Sequence, residues 1–210
     1  MQVSIVTGAQ VRFSFATDLS LMRNFSPHQE FWTVGETVQS NMHFTSRQSA
    51  YAWISYYTPA KYSNYFSAAA KSTTTSPSTI PFTATAKWKT GQVSLGWKHY
   101  FKGSYDAEAG YNIYGIAGFG LMFSKVDNVF STPIDTSLYT SPTIAGTGKF
   151  YRLTMDFGLG AEYPISGNFY LYGDLRTWVP TSDSPSPYLH SNESVPFPFF
   201  VSAGLRIPFY

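Results

Sequence analysis

The 210-residue chain contains no cysteine, and only 12% of its residues are charged. Without cysteine, both a disulfide framework and a thiolate metal site are excluded. An ordinary soluble domain has roughly 25% charged residues, so this chain cannot cover a water-facing surface with charge in the usual way. Its net charge of +2 is small, and its densest basic group, Lys87, Lys89 and Lys98, is sparse. This distribution argues against nucleic-acid binding.

The chain also lacks any apolar run approaching the ~18 residues that a membrane-spanning helix needs. If the protein lies in a membrane, it therefore crosses the membrane as strands. The first residues show no basic segment followed by a long apolar core, so no signal peptide is visible. We interpret the chain as the mature form of an exported protein, and its length predicts a single domain over residues 1–210.

Aromatic residues, by contrast, make up 19% of the chain, and there are 16 Gly, 16 Tyr and 18 Phe. This composition favours many short strands and turns. Alternation of apolar and polar residues predicts eight strands, although Glu36 interrupts the apolar face of the second and the facing of the third is ambiguous. The predicted strands cover residues 3–21, 31–44, 50–58, 82–101, 111–123, 151–165, 169–179 and 197–210.

The connections between these strands alternate in length. The predicted turns at 46–49, 102–109 and 166–168 are short, whereas 59–81, 126–148 and 180–194 form long segments rich in Ser, Thr, Pro and Tyr. Short turns at one end and long loops at the other are typical of bacterial transmembrane barrels. The fold expected is an all-β, eight-stranded, antiparallel up-and-down barrel, with short periplasmic turns and long extracellular loops.

Eight amphipathic strands can close with the apolar face inside, as in soluble lipocalin-like barrels, or outside, as in membrane barrels. The polar face is rich in Gly, Ser, Thr and Tyr and carries few charges, which suits a narrow interior better than a water-facing exterior. Those charges are balanced in sign, and we expect them to pair across the lumen and to plug it. They are Arg12, Asp18, Lys98, Arg152, Asp156, Glu162, Asp174, Arg176 and Arg206.

The apolar face is bracketed by aromatic residues near the predicted strand ends. Membrane barrels carry such aromatic girdles at both membrane interfaces. The residues of the expected girdle are Trp32, Trp97, Phe101, Tyr163 and Phe169. Together with the small number of charges on the polar face, these residues favour the membrane barrel over the soluble one.

The last strand resembles the C-terminal assembly signal of outer-membrane barrels, with Val201, Ala203, Leu205, Ile207 and Phe209 on one face and Tyr210 as an extra terminal residue. Nearly the whole chain resembles small OmpA/OmpX-type barrels, without their periplasmic domain, through segments 158–163, 166–168 and 172–176. The resemblance implies the outer membrane of a Gram-negative bacterium, contact with its lipids, including lipopolysaccharide, and insertion by the barrel assembly machinery.

The residues that could carry chemistry are few. The four histidines have no ligand spacing, so we expect no metal and no cofactor, and His43 is expected to be a hydrogen-bonded interior residue. We predict a structural or accessory role, as a subunit or partner of a larger outer-membrane assembly, and not an enzyme. Two alternatives stay open. The interior charges could line a narrow solute channel, or a lipid-modifying enzyme could use Ser184 or Ser191 with Asp183, His190 and Glu193.

Overall fold

The computed structural model describes residues 12–25, 28–166, 168–181, 188 and 198–209. No helix that is long and apolar enough to cross a membrane occurs in these ranges. The described strands are β1 (Arg12–Asn24), β2 (Phe31–His43), β3 (Gln48–Ala70), β4 (Thr79–Lys102), β5 (Asn112–Phe130), β6 (Tyr139–Thr140), β7 (Gly146–Ser166), β8 (Phe169–Pro180) and β9 (Pro198–Phe209).

Eight of these strands close into a barrel, because β1 pairs with β2 on one side and with β9 on the other. Around the ring the order is β1, β2, β3, β4, β5, β7, β8 and β9, and every pairing is antiparallel. The two-residue strand β6 lies outside the ring and pairs only with the end of β3. The predicted eight-stranded up-and-down barrel is therefore confirmed.

The apolar face of the strands lies on the outside of the barrel. Leu19 is 75% exposed, Phe119 67% and Leu159 61%, whereas Ser14, Thr37 and Thr154, which lie on the opposite face, are fully buried. An apolar outer wall around a polar interior is the reverse of a soluble barrel and is the arrangement of a transmembrane barrel. In lipid, the closed ring also satisfies the backbone N–H and C=O groups that an open sheet edge would expose.

The structure also resolves the facing of the third predicted strand. Tyr51, Trp53 and Tyr57 are buried in the lumen, whereas Ile54 and Tyr56 lie on the outer wall. In the sequence, aromatic residues occupy both odd and even positions of this strand, so its two faces could not be told apart by hydropathy.

The prediction of a loop over residues 59–81 was wrong. Strand β3 has 23 residues and β4 has 24, whereas a membrane-spanning strand needs about 9–11. The register shifts between Tyr57 and Ala60, and such a bulge accommodates Pro59, which has no N–H to donate. Beyond the bulge, the two strands continue past the membrane, where no lipid enforces an apolar outer face. The alternation reverses there: on β4, Phe82, Ala84 and Trp88 are buried on the inner face, and polar side chains face outward.

The predicted loop over residues 126–148 was wrong at both ends for the same reason. Strand β5 continues to Phe130 and β7 begins at Gly146, so the connection is 131–145 and contains β6. Of the predicted first strand, residues 3–11 lie outside the described residues, as does most of the predicted loop 180–194. Among the described residues, β3, β4, β5 and β7 therefore extend further at the extracellular end than the other four strands of the ring.

The membrane depth of the outer wall can be tested with one arginine at two heights. Leu159→Arg places a charge on the lipid face between the predicted girdle and the extracellular end, and should destabilise the barrel by about 2–4 kcal/mol. Val129→Arg is the matched control, because Val129 is 66% exposed on the part of β5 that extends beyond the membrane. Urea unfolding in lipid vesicles should show a loss for Leu159→Arg only; equal effects would mean that the lipid face is misplaced.

Candidate functional site

Three of the predicted lumen charges meet near the periplasmic end of the barrel. Glu162 on β7 accepts hydrogen bonds from Arg206 Nη2 at 2.8 Å and Nε at 3.1 Å, and lies 3.3 Å from Lys98 Nζ. The Nδ2 of Asn112 donates to the same carboxylate at 3.3 Å. All three charged side chains are at most 4% exposed. One carboxylate therefore pairs with two buried cations from two other strands, and the group keeps one surplus positive charge.

A second group of charges has the opposite balance. Arg176 donates to Asp174 Oδ1 at 2.7 Å through Nε and to Asp18 Oδ2 at 2.5 Å through Nη2. Asp18 also accepts a hydrogen bond from the Tyr172 hydroxyl at 2.8 Å, and Asp174 accepts one from the Tyr114 hydroxyl at 3.2 Å. Because two carboxylates face one guanidinium here, the surplus negative charge offsets the surplus positive charge of the Glu162 group.

Asp156 differs from the other lumen carboxylates, because its hydrogen-bond partners in the described structure are neutral. It accepts from the Ser94 hydroxyl, from Gln92 Nε2 at 2.7 Å and from Thr154 Oγ1 at 2.9 Å. The Oε1 of Gln92 in turn accepts from Trp53 Nε1 at 3.2 Å. A chain of uncharged side chains thus crosses the lumen at the level of Asp156.

The remaining two predicted charges lie apart from these groups. Arg12 is at the periplasmic mouth, 3.6 Å from Asp106, and both side chains are about one-third or more exposed. Arg152 is buried in the extracellular half, with its guanidinium 5.3 Å from the centre of the Phe150 ring. The structure therefore divides the predicted network into two ion-paired groups, one hydroxyl-bound carboxylate and two separate arginines.

The turn after β4 inserts a side chain into the barrel, which the sequence did not indicate. Tyr105 is 5% exposed, and its ring stacks on His43 with 4.0 Å between centroids. Its carbonyl accepts a hydrogen bond from Arg206 Nη2 at 2.6 Å. His43 itself lies between the hydroxyls of Ser14 at 2.8 Å and Ser49 at 2.6 Å, so it is a hydrogen-bonded interior histidine.

The extracellular half of the lumen is filled mainly by apolar side chains, with Arg152 among them. The rings of Trp178 and Phe200 have centroids 4.3 Å apart, and those of Phe31 and Trp88 are 5.3 Å apart. Tyr57 packs on Phe200 at 5.2 Å. Sequence reasoning missed this cluster, although adjacent aromatic pairs such as Phe199 and Phe200 were a usable signal, since one of the two must face inward.

Two strand glycines make room for an aromatic side chain in the lumen. A Cβ at Gly118 would lie 2.3 Å from the Tyr51 hydroxyl and 2.4 Å from the Leu95 carbonyl oxygen, and one at Gly96 would lie 2.4 Å from the same hydroxyl. The Tyr51 ring stacks on Trp53 with centroids 4.4 Å apart. These contacts fit an interior that is packed with large side chains against small ones.

The predicted girdle residues all lie on the outer wall, with exposures of 43–60%. Trp32 is near the extracellular end of its strand, and Trp97, Phe101, Tyr163 and Phe169 are near periplasmic strand ends. Of the predicted assembly signal, β9 contains Val201, Ala203, Leu205, Ile207 and Phe209, whereas Tyr210 lies outside the described residues. This strand pairs with β8 and with β1, where it closes the ring.

Among the described residues, Glu36 is the carboxylate on the lipid-facing part of the outer wall. Glu36 is exposed between Val34 and Val38 on the same face of β2, and its cross-strand partners are Leu19 and Tyr56. Within the described part of the chain it forms no ion pair. It lines a groove of about 670 Å³ on the wall formed by β1, β2, β3 and β9.

The serine-based candidates for catalysis, Ser184 and Ser191 with Asp183, His190 and Glu193, lie outside the described residues. Among the residues that are described, no group of three His, Asp or Glu side chains is placed to hold a metal ion.

The fold matches solved structures of small outer-membrane barrels. The N-terminal barrel domain of OprF from Pseudomonas aeruginosa is 12% identical, with a TM-score of 0.51, and the match covers 93% of this chain and 97% of that one. Neisserial surface protein A is 14% identical, with a TM-score of 0.55, and the match covers 94% and 97%. No protein-family model and no curated protein sequence matches the chain. The fold is therefore that of the small eight-stranded outer-membrane barrels.

The unequal charge balance of the two groups predicts unequal responses to neutralisation. Glu162→Gln leaves Lys98 and Arg206 buried without a counter-charge and should lower the free energy of unfolding by about 3–5 kcal/mol. Asp18→Asn leaves Arg176 paired with Asp174 and should cost clearly less. Urea unfolding of both variants in vesicles measures the difference, and similar losses would contradict the described pairing.

Proposed function

We propose that this protein is an accessory subunit in a bacterial outer membrane, which docks laterally on a larger membrane protein through its outer wall. The observation that carries the proposal is Glu36. A carboxylate on the lipid-facing wall is costly unless something other than lipid covers it. The groove around Glu36 supplies a recess in which a neighbouring side chain can reach the carboxylate.

The surroundings of Glu36 favour a protein as the covering partner. The groove is lined by apolar and small residues, including Leu21, Val201 and Ala203, which allow close packing of another wall or helix. A basic or hydrogen-bond-donating side chain of the partner, at the same membrane depth as Glu36, would pair with the carboxylate. A partner of this kind would bury the carboxylate and satisfy it at the same time.

The second part of the proposal is that the lumen conducts no solute. Support comes from the contents of the lumen along its length: Tyr105 near the periplasmic mouth, two ion-paired groups above it, and the aromatic cluster in the extracellular half. An eight-stranded barrel is just wide enough for its own side chains to fill. A subunit without a pore must act through its surfaces.

Outer-membrane lipids, including lipopolysaccharide, are the surrounding partners under this proposal. The barrel assembly machinery would act during insertion by recognising the last strand, whose outward residues Leu205 and Phe209 match the assembly signal. An enzymatic role is not part of the proposal, since the described lumen hydroxyls nearest to a histidine, on Ser14 and Ser49, are fully buried beside His43, and Tyr105 stacks on the His43 ring.

The docking proposal predicts opposite effects of one substitution on folding and on assembly. Glu36→Leu removes a charge from the lipid face, so the isolated barrel should be at least as stable as the wild type, while the complex with its partner is lost. The measurement is purification from native outer membranes in mild detergent, followed by the mass of the complex. Leu153→Met, on the far side of the wall, is the control and should keep the complex. A lone barrel of about 23.4 kDa from the wild type would overturn the docking proposal.

The closed lumen predicts no steady conductance of the purified wild-type protein in planar bilayers. The variant Tyr105→Ala removes the tyrosine ring at the periplasmic mouth but leaves the aromatic cluster in place. It should therefore also show no single-channel conductance steps. Well-defined single-channel steps from the wild type would support the narrow-channel alternative instead.

A further inference from the structure

Five outward-facing lysines occupy adjacent strands just above the membrane part of the wall. In the register of the sheet, Lys61 lies opposite Lys87, and Lys125 lies opposite both Lys89 and Lys149. Like charges directly opposite each other destabilise a sheet. A row of three lysines across β4, β5 and β7 is therefore an arrangement that folding alone does not favour.

Little negative charge offsets these lysines. On the outward faces of the same extensions, Asp127 is the single acidic residue. Its Oδ1 lies 3.2 Å from Lys125 Nζ and accepts a hydrogen bond from Thr147 at 2.6 Å. One carboxylate for five ammonium groups leaves a strongly positive surface in a chain whose net charge is only +2.

The central row of lysines borders a cleft. Lys89, Lys125 and Lys149 line a recess of about 330 Å³, together with the aromatic side chains of Tyr56, Phe123 and Tyr151. The rings of Phe123 and Tyr151 meet edge to face, with centroids 5.7 Å apart. We call these six residues the lysine cleft. It presents ammonium groups on one side and aromatic surface on the other.

The cleft lies at the height where the outer leaflet changes from hydrocarbon to headgroups. Phe123 is two residues nearer the membrane centre than Lys125, and Tyr151 is two residues nearer than Lys149, which is about 7 Å along a strand. Aromatic rings mark the membrane interface, and lysines extend from there to the charged headgroups. The ligand that fits is an amphiphile with phosphate groups beside its acyl chains.

We propose that the lysine cleft binds the phosphorylated headgroup of an outer-leaflet lipid, which in this membrane is the lipid A part of lipopolysaccharide. The three ammonium groups contact the phosphates, and the aromatic side chains contact the first part of the acyl chains. The proposal depends on the membrane placement of the barrel but not on the docking of a partner at Glu36. The two sites lie on different strands of the wall, apart from Tyr56, which borders both.

The test measures binding of purified lipid A to the barrel in detergent micelles by native mass spectrometry. The cleft variant is Lys89→Gln/Lys125→Gln/Lys149→Gln. The matched control is Arg47→Gln/Lys71→Gln/Lys102→Gln, which removes the same charge from exposed positions away from the cleft. The cleft variant should bind bisphosphorylated lipid A at least about tenfold more weakly than the wild type, and the control should bind it normally.

Two further probes make the result decisive. A charge-preserving variant, Lys89→Arg/Lys125→Arg/Lys149→Arg, should keep the affinity, and lipid A from which both phosphates have been removed should bind the wild type about as weakly as the cleft variant binds intact lipid A. Inorganic phosphate should not compete at millimolar concentration. Equal binding by the cleft variant and the control, or full competition by inorganic phosphate, would overturn the proposal. A difference in migration between the unheated and the heated protein on denaturing gels checks that each variant is folded.

Discussion

Backbone pairing between β1 and β9 closes the sheet, and the rest of the structure depends on that closure. The register runs from Phe13 opposite Phe209 to Asn24 opposite Pro198, so the first and last spanning strands protect each other over their whole length. In lipid no water can satisfy an unpaired edge. Once the ring is closed, each strand has one face toward lipid and one toward a narrow interior, and the side chains on each face must obey the rules of that environment.

The narrow interior explains why polar and aromatic side chains are combined there. A buried charge is tolerated only when it is paired and hydrogen-bonded, and the two ion-paired groups satisfy this condition with opposite surpluses. The carboxylates also accept hydrogen bonds from the hydroxyls of Tyr114 and Tyr172, and the Arg176 guanidinium donates one to the Ser202 hydroxyl. Above them the space is filled mainly by Trp88, Trp178 and their aromatic neighbours, and Arg152 is the charged residue buried beside them. The barrel is thus closed by electrostatic pairing at one level and by ring packing at another.

The outer surface is divided into a lipid-covered part and a part that extends beyond the membrane. Where lipid covers the wall, the alternation is nearly strict, and Glu36 is the exception on which the docking proposal rests. Where β3, β4, β5 and β7 extend past the membrane, the outward positions are mostly lysine, serine and threonine, and the proposed lipid-binding cleft lies at this boundary. Both proposals come from residues whose chemistry does not match what their position on the wall would require for stability alone.

Periodicity in the sequence determined the number of spanning strands, the apolar face of every strand but the third, and the positions of the lumen charges. These follow from local rules, because the side-chain period of a strand is two and lipid imposes it on the outer face. The same rule failed beyond residue 59, because the outward face of the hairpin meets water while Ala68, Phe82 and Ala84 pack inward, so the apolar face is reversed relative to the membrane part.

The tertiary structure decided what depends on register. The sequence could place Asp18, Arg176 and Glu162 in the lumen, but which carboxylate meets which cation follows from the stagger of eight strands around the ring. The insertion of Tyr105 beneath His43 likewise requires the barrel mouth to exist before the turn can fill it. The lysine row has the same origin, since Lys89, Lys125 and Lys149 are distant in the chain, and only the pairing of three strands brings their charges together.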